Sequence, residues 1–183
     1  GAAGLDYAAM AEREAACSGG VGASIDIGGC IGEPSRVRPF LCIHGSALDG
    51  KFGDMLGVLA DRALRCDFSD LARLKDVVLQ ARIGMRSQLI PSGSHFAALY
   101  SSRNLSRNAA LSERVGGVTQ VRFMDKLAQE FDARSAKVRE SLEAIRAHVL
   151  NRARLTASFV GSDSLWEMAK GFVGDFSAQM PER

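Results

Sequence analysis

Proline and tryptophan are scarce in this chain: 183 residues include four prolines and one tryptophan. With 46% hydrophobic and 24% charged residues, the composition excludes a proline-rich linker or a large disordered tract. No apolar stretch approaches the roughly 18–20 residues a membrane helix needs. The four cysteines, Cys17, Cys30, Cys42 and Cys66, form no C-x-x-C pair and no metal-knuckle pattern. They read as buried thiols of a cytosolic chain; a two-disulfide secreted framework has little support at this length. Charge of one sign is also missing. A balance of 23 basic against 21 acidic residues leaves +2, which gives no support for a nucleic-acid or polyphosphate partner. Gly1 to Glu14 lacks the basic-then-apolar order of a signal peptide and reads as a boundary inside a longer protein.

What is present has the patterning of one domain, residues 1–183, belonging to a larger chain, with enough residues to bury a core. Leu5 to Ala16 reads as a helix stopped by Ser18-Gly19-Gly20. Val21 to Ile27 alternates, with Val21, Ala23, Ile25 and Ile27 on one side of a strand. Gly28 to Pro39 reads as a turn region, and Phe40 to His44, apolar almost throughout, as a central strand antiparallel to the first. Ser46 with Asp49 fits a capping box before a helix bearing Phe52, Met55, Leu56, Leu59 and Ala63. Asp67 to Asp70 breaks that helix and caps the next, whose stripe is Leu71, Leu74, Val77, Val78, Ala81 and Met85. Arg73, Lys75, Asp76, Arg82 and Arg86 fall on its other face.

Helices are also expected at His95 to Ser101, Ser106 to Val115 and Val118 to Phe131, the last two parted by Gly116-Gly117. Another is expected behind a Ser135 cap, with the stripe Val138, Leu142, Ile145 and Val149. Leu155 to Val160 alternates like a half-exposed strand, and a final helix carries Leu165, Trp166, Ala169, Phe172, Val173 and Phe176. Strands do not alternate regularly with helices. The expected class is therefore α+β, with helices packed on a small, mainly antiparallel sheet.

Catalytic chemistry finds little to work with. His44, His95 and His148 each lack the second imidazole and carboxylate, one helical turn away, that a zinc peptidase helix needs. Ser92 to His95 offers a hydroxyl and an imidazole but no G-x-S-x-G elbow, and reads as a helix cap after Pro91. Gly19-Gly20-Val21-Gly22 precedes a strand, not a helix, so it is a turn and not a phosphate loop. The stretch Arg103 to Arg114, with three arginines and two asparagines, can bind a peptide carboxylate or backbone; the plainer reading is a solvated loop and helix face. No catalytic, cofactor-binding or metal-ligating residue is assigned.

Four stretches carry a resemblance. They are Ser18-Gly-Gly-Val-Gly-Ala-Ser24, Ile43-His-Gly-Ser-Ala-Leu-Asp49, Ile90-Pro-Ser-Gly-Ser-His-Phe-Ala-Ala-Leu99 and Ala110-Leu-Ser-Glu-Arg-Val-Gly-Gly-Val-Thr-Gln-Val-Arg-Phe123. In this order they resemble the third, non-catalytic domain of pitrilysin/insulinase-like zinc metallopeptidases of the presequence-protease branch. The resemblance implies a parent zinc metalloendopeptidase of two halves closing around a chamber. Zinc and the catalytic glutamate would belong to another domain, through an inverted His-x-x-Glu-His motif absent here. This segment would bind no zinc and would help wall a chamber that confines unfolded oligopeptides. Its partners would be the remaining domains and the peptide, with no nucleic acid and no membrane. The resemblance also implies a preceding strand and helix, hence a sheet edge open to self-association or to a neighbouring strand. A bacterial cytoplasm is the expected location, or an organelle in a eukaryote. The competing reading is a self-standing interaction module related to inactive processing-peptidase core subunits; more distant is an independent enzyme.

Overall fold

In the computed structural model, which describes residues 1–182, Asp6 starts the first helix: its carboxylate accepts the Ala9 N–H at 2.8 Å. The capped helix, α1 (Tyr7–Cys17), ends where the Ser18 hydroxyl donates to the Glu14 carbonyl and the backbone turns extended. Gly20 then adopts φ +134°, a conformation that side-chain-bearing residues rarely reach. The chain thereby turns into the hairpin β1 (Gly20–Cys30) and β2 (Glu33–Ser46), joined at Ile31-Gly32. The Gly19 N–H donates to the Ser46 carbonyl at 2.7 Å and closes the hairpin's base. These strands pair in a two-stranded sheet.

Among the described residues seven further helices follow: α2 (Phe52–Leu64), α3 (Leu71–Gln88), α4 (Gly93–Ser102), α5 (Arg107–Gly116), α6 (Val118–Gln129), α7 (Phe131–Val149) and α8 (Trp166–Ala178). The architecture is α+β, helices with a small antiparallel sheet, as the pattern predicts.

The chain divides into two compact units. The first comprises residues 1–24, 41–69 and 140–183. Its core gathers Met10 and Cys17 of α1, Val21 of β1, Phe52, Met55, Leu56 and Val58 of α2, and Ala169 of α8. Val58 is wholly buried. Phe159 fills one side, its ring centroid 5.4 Å from that of Phe52. A second cluster joins Ala63 to Phe176 and Met180. Around this core the charges are paired. Asp61, buried, accepts Arg13 at 2.6 Å and Arg65 at 3.0 Å. Glu14 accepts the Val21 N–H at 3.1 Å and pairs with Arg62 at 2.6 Å, tying α1, β1 and α2 together.

The second unit comprises residues 25–40 and 70–139. Its core joins Val78 of α3, Met124 of α6 and Phe131 at the start of α7, flanked by Leu74, Ala81, Met85, Leu127 and Val138. Asp70 caps α3 by accepting the Arg73 N–H at 2.9 Å, as its position before the apolar stripe predicts.

Several sequence expectations are corrected. Phe40 to His44 is not a central strand: Phe40 and Leu41 are 43% and 45% exposed, because the sheet among the described residues has two strands and each is an edge. The turn expected over Gly28 to Pro39 shrinks to Ile31-Gly32, since pairing continues through both glycines and past Pro39. Of the four β1 residues expected on one side of the strand, Val21 is buried while Ile25 stays 59% exposed. Ser46 ends β2 and caps nothing; a 3₁₀ turn, Asp49–Lys51, leads into α2 instead. Ser135 lies inside α7, which begins at Phe131 because that ring is needed in the core. Leu155 to Val160 is not a strand: Leu155 and Phe159 turn inward as single anchors, without a neighbouring strand to pair with among the described residues.

Burial sets a test. Replacing Phe131, 2% exposed, with alanine is expected to cost about 3–5 kcal/mol. Replacing Ile83, 66% exposed on α3, should change stability by less than about 0.5 kcal/mol. Urea denaturation of the two variants checks the contrast.

Candidate functional site

The stretch Leu111 to Phe123 forms the elbow between α5 and α6. Ser106 caps α5, accepting the Ala109 N–H at 3.0 Å. Further on, α5 ends at Gly116-Gly117 and α6 starts at once. Glu113 is the residue that fixes the corner. It is 3% exposed, and its carboxylate reaches forward to accept the Thr119 N–H at 3.0 Å in the first turn of α6. A negative charge there satisfies an N–H that has no partner within the helix and meets the positive end of the α6 dipole. Burial alone would push the Glu113 carboxyl up. The backbone N–H and hydroxyl of Thr119, with the charges of Arg103 and Arg122, outweigh burial and hold it below the usual value.

Gly117 makes this contact sterically possible. A Cβ at that position would stand 2.5 Å from the Glu113 carbonyl oxygen and 2.9 Å from its carboxylate. Around Gly116 nothing lies within 4 Å of such an atom. The two adjacent glycines therefore have different roles: Gly117 leaves room for the carboxylate, and Gly116 does not.

Farther along α6, Asp125 receives Arg82 Nε at 2.9 Å and Arg86 through Nε at 2.7 Å and Nη2 at 2.9 Å. The hydrogen bonds from Arg86 and Arg82 hold its carboxyl down at about 2. Lys75 likewise meets Asp132 at 2.6 Å. The charged side of α3, read from the sequence as the face opposite its apolar stripe, thus supplies the cations that clasp α6 and α7. Arg103 caps the end of α4 and stacks on Tyr100, its guanidinium carbon 3.7 Å from the ring centroid.

The histidines are dispersed on β2 (His44), α4 (His95) and α7 (His148). Among the described residues no three His, Cys, Asp or Glu side chains converge to hold a metal ion. The described residues therefore offer no fit to a zinc ion. Ser92 stands at the start of α4 without a capping bond; its hydroxyl lies 3.5 Å from the Gln88 amide oxygen. A shallow hollow over Val21, Ala23, Ile43 and Ala63 has Arg62 at its rim, already committed to Glu14. Among the described residues no helix is long and apolar enough to cross a membrane. The arrangement can pack, clasp and present cations. Sequence reasoning singled out Leu-Ser-Glu and Gly-Gly as a motif but did not foresee the carboxylate lying over the glycine.

The α5–α6 elbow is thus built on the Glu113–Thr119 contact over Gly117. Residues 1–127 match the family of regions associated with peptidases of family M16, subfamily C, and the chain belongs to that family. It is 25% identical over 183 residues, 98% of its length, to a mitochondrial presequence protease of Danio rerio. It is 28% identical over 122 residues, 66% of its length, to the mitochondrial presequence protease of Yarrowia lipolytica. It is also 28% identical over 112 residues, 61% of its length, to presequence protease 1, chloroplastic/mitochondrial, of Arabidopsis thaliana. The chain spans 18%, 12% and 10% of these relatives respectively.

Two measurements check the geometry. Gly117→Ala is expected to destabilise by about 1–3 kcal/mol through overpacking. Gly116→Ala should be neutral or stabilising by up to about 1 kcal/mol, since Ala favours the helix; thermal melts separate them. The Asp125 carboxyl is lowered in the folded state from an ordinary 3.8 to about 2. Its contribution is therefore complete above the unfolded value and is lost as pH falls through that window. Melting midpoints from pH 7 to pH 2 should fall more steeply for the native chain than for Asp125→Asn.

Proposed function

We propose that this chain is a non-catalytic, chamber-forming domain of a zinc metalloendopeptidase that degrades unfolded oligopeptides. The family match over residues 1–127 carries the reading. The small fraction of each presequence protease that the chain spans supports it, because most of such a protein would lie outside this segment. In this reading zinc and the activated water belong to another domain. This domain contributes enclosure, which selects short, unfolded chains. The relatives' names place them in mitochondria or chloroplasts, so an organelle is the proposed location in a eukaryote and the cytoplasm in a bacterium.

The two-stranded sheet supports a structural partner. Unpaired strand edges template further pairing, and Ile25, Phe40 and Leu41 on these strands are exposed. A strand from the remaining domains would complete the sheet. When the segment is produced separately, a second copy would take that place.

The test is to read the parent gene and assay its product. The expected gene encodes His-x-x-Glu-His outside this segment. The full-length product should hold stoichiometric zinc and cleave an unfolded peptide, with cleavage abolished by a chelator. The separate segment should bind no stoichiometric zinc, cleave nothing and sediment as an oligomer. Saturable cleavage by the segment, abolished by one substitution within it, would overturn the reading. A gene beginning near Gly1 would favour the self-standing interaction module.

A further inference from the structure

The near-neutral total hides an uneven distribution. The second unit carries fourteen lysines and arginines against eight acidic residues; the first carries nine against thirteen. Within the second unit the imbalance is concentrated. Between Val77 and Met124 there are six arginines, no lysine and one acid, Glu113. Arginine's planar fork matches a carboxylate in two hydrogen bonds, which a lysine ammonium cannot do.

Two of the six, Arg82 and Arg86, are taken by Asp125. Glu113 is buried and presents little negative charge to solvent. Arg103, Arg107, Arg114 and Arg122 remain, at the end of α4, along α5 and on α6. The charges of Arg103 and Arg122 help hold the Glu113 carboxyl below its usual value. Arg103 is pre-oriented: it stacks on Tyr100 and donates to the Tyr100 carbonyl. Arg107 and Arg114 are exposed and have no acidic partner among the described residues. Large apolar side chains stand exposed on the same elements: Tyr100 on α4 (39%), Leu105 before α5 (81%) and Phe123 on α6 (56%).

We propose that the arginines of α4, α5 and α6 left without an acidic partner, Arg107 and Arg114 foremost, bind an acidic stretch of an unfolded peptide. Glutamate or aspartate carboxylates would sit on the guanidiniums, and intervening apolar side chains on Tyr100, Leu105 and Phe123. The proposal rests on the peptide-confining reading above and adds a sequence preference to it. A phosphate backbone would satisfy the same cations. The family match to peptidase-associated regions favours the peptide over it.

The test uses the full-length protein carrying this chain, with chelator present so that peptide is not consumed. Fluorescence anisotropy follows two labelled, unstructured twelve-residue peptides that differ only in glutamate against glutamine at four positions. The glutamate peptide is expected to bind tighter at low salt, and Arg107→Gln/Arg114→Gln should reduce that preference about fivefold, the scale of two exposed charge contacts. The melting midpoint should stay unchanged, because neither arginine has an acidic partner to lose among the described residues. The control Lys126→Gln/Arg134→Gln, whose side chains pair with Glu130, should keep the preference. Equal binding of the two peptides would overturn the proposal, as would equal loss in both variants or tighter binding of a twelve-residue oligothymidylate. Binding is read without turnover, so a protein found to lack peptidase activity would fail the earlier reading and not this test.

Discussion

A buried carboxylate laid over a glycine sets the geometry of the second unit. Glu113 accepts the N–H of Thr119 only because Gly117 has no side chain in the way. That contact fixes where α6 starts and in which direction it leaves α5. With α6 so placed, Met124 enters the core beside Val78 and Phe131, and Asp125 comes within reach of Arg82 and Arg86. The exposed arginines of α4 to α6 inherit their positions from the same corner. Removing the carboxylate would leave an unsatisfied N–H at the helix start and cations without their central anion.

The first unit relies on a different device. Its helices and the base of the hairpin are joined by short-range ion pairs that sit over an apolar core. Asp61 holds Arg13 of α1 and Arg65 after α2. Glu14 holds both Arg62 and the backbone of Val21. The Glu14 contact does for β1 what a neighbouring strand would do, satisfying one N–H at the sheet's root. Beyond that root Ile25 and Phe40 remain exposed, which is why a partner for the sheet belongs to the functional reading.

Membership of a peptidase-associated family underlies the proposed division of labour. Under the proposed function, one region of a larger protein would supply bond chemistry and this one shape and charge. Under that proposal the useful surfaces of this chain would be the open edges of its sheet and the exposed arginines of its second unit.

Local patterns in the sequence determined most of the helices. The cap Asp70, the break at Asp67 to Asp70 and most of the stripes of α2, α3 and α8 depend on neighbours within a few residues, so they could be read in one dimension, although Val77 and Trp166 of those stripes stay 46% and 52% exposed. The motif Leu-Ser-Glu to Gly-Gly was visible too. Strands were less legible, because pairing is non-local: Phe40 to His44 looks central by hydrophobicity, yet centrality depends on whether another strand lies alongside. Leu155 to Val160 alternates like a strand, yet its side chains serve as isolated plugs. Tertiary structure alone decided that Glu113 is buried, that Asp125 collects two arginines of α3 and that Arg107 and Arg114 meet no acidic side chain among the described residues. Charge pairing across helices depends on distances of a few ångströms, and linear spacing does not encode them once the chain has turned a corner.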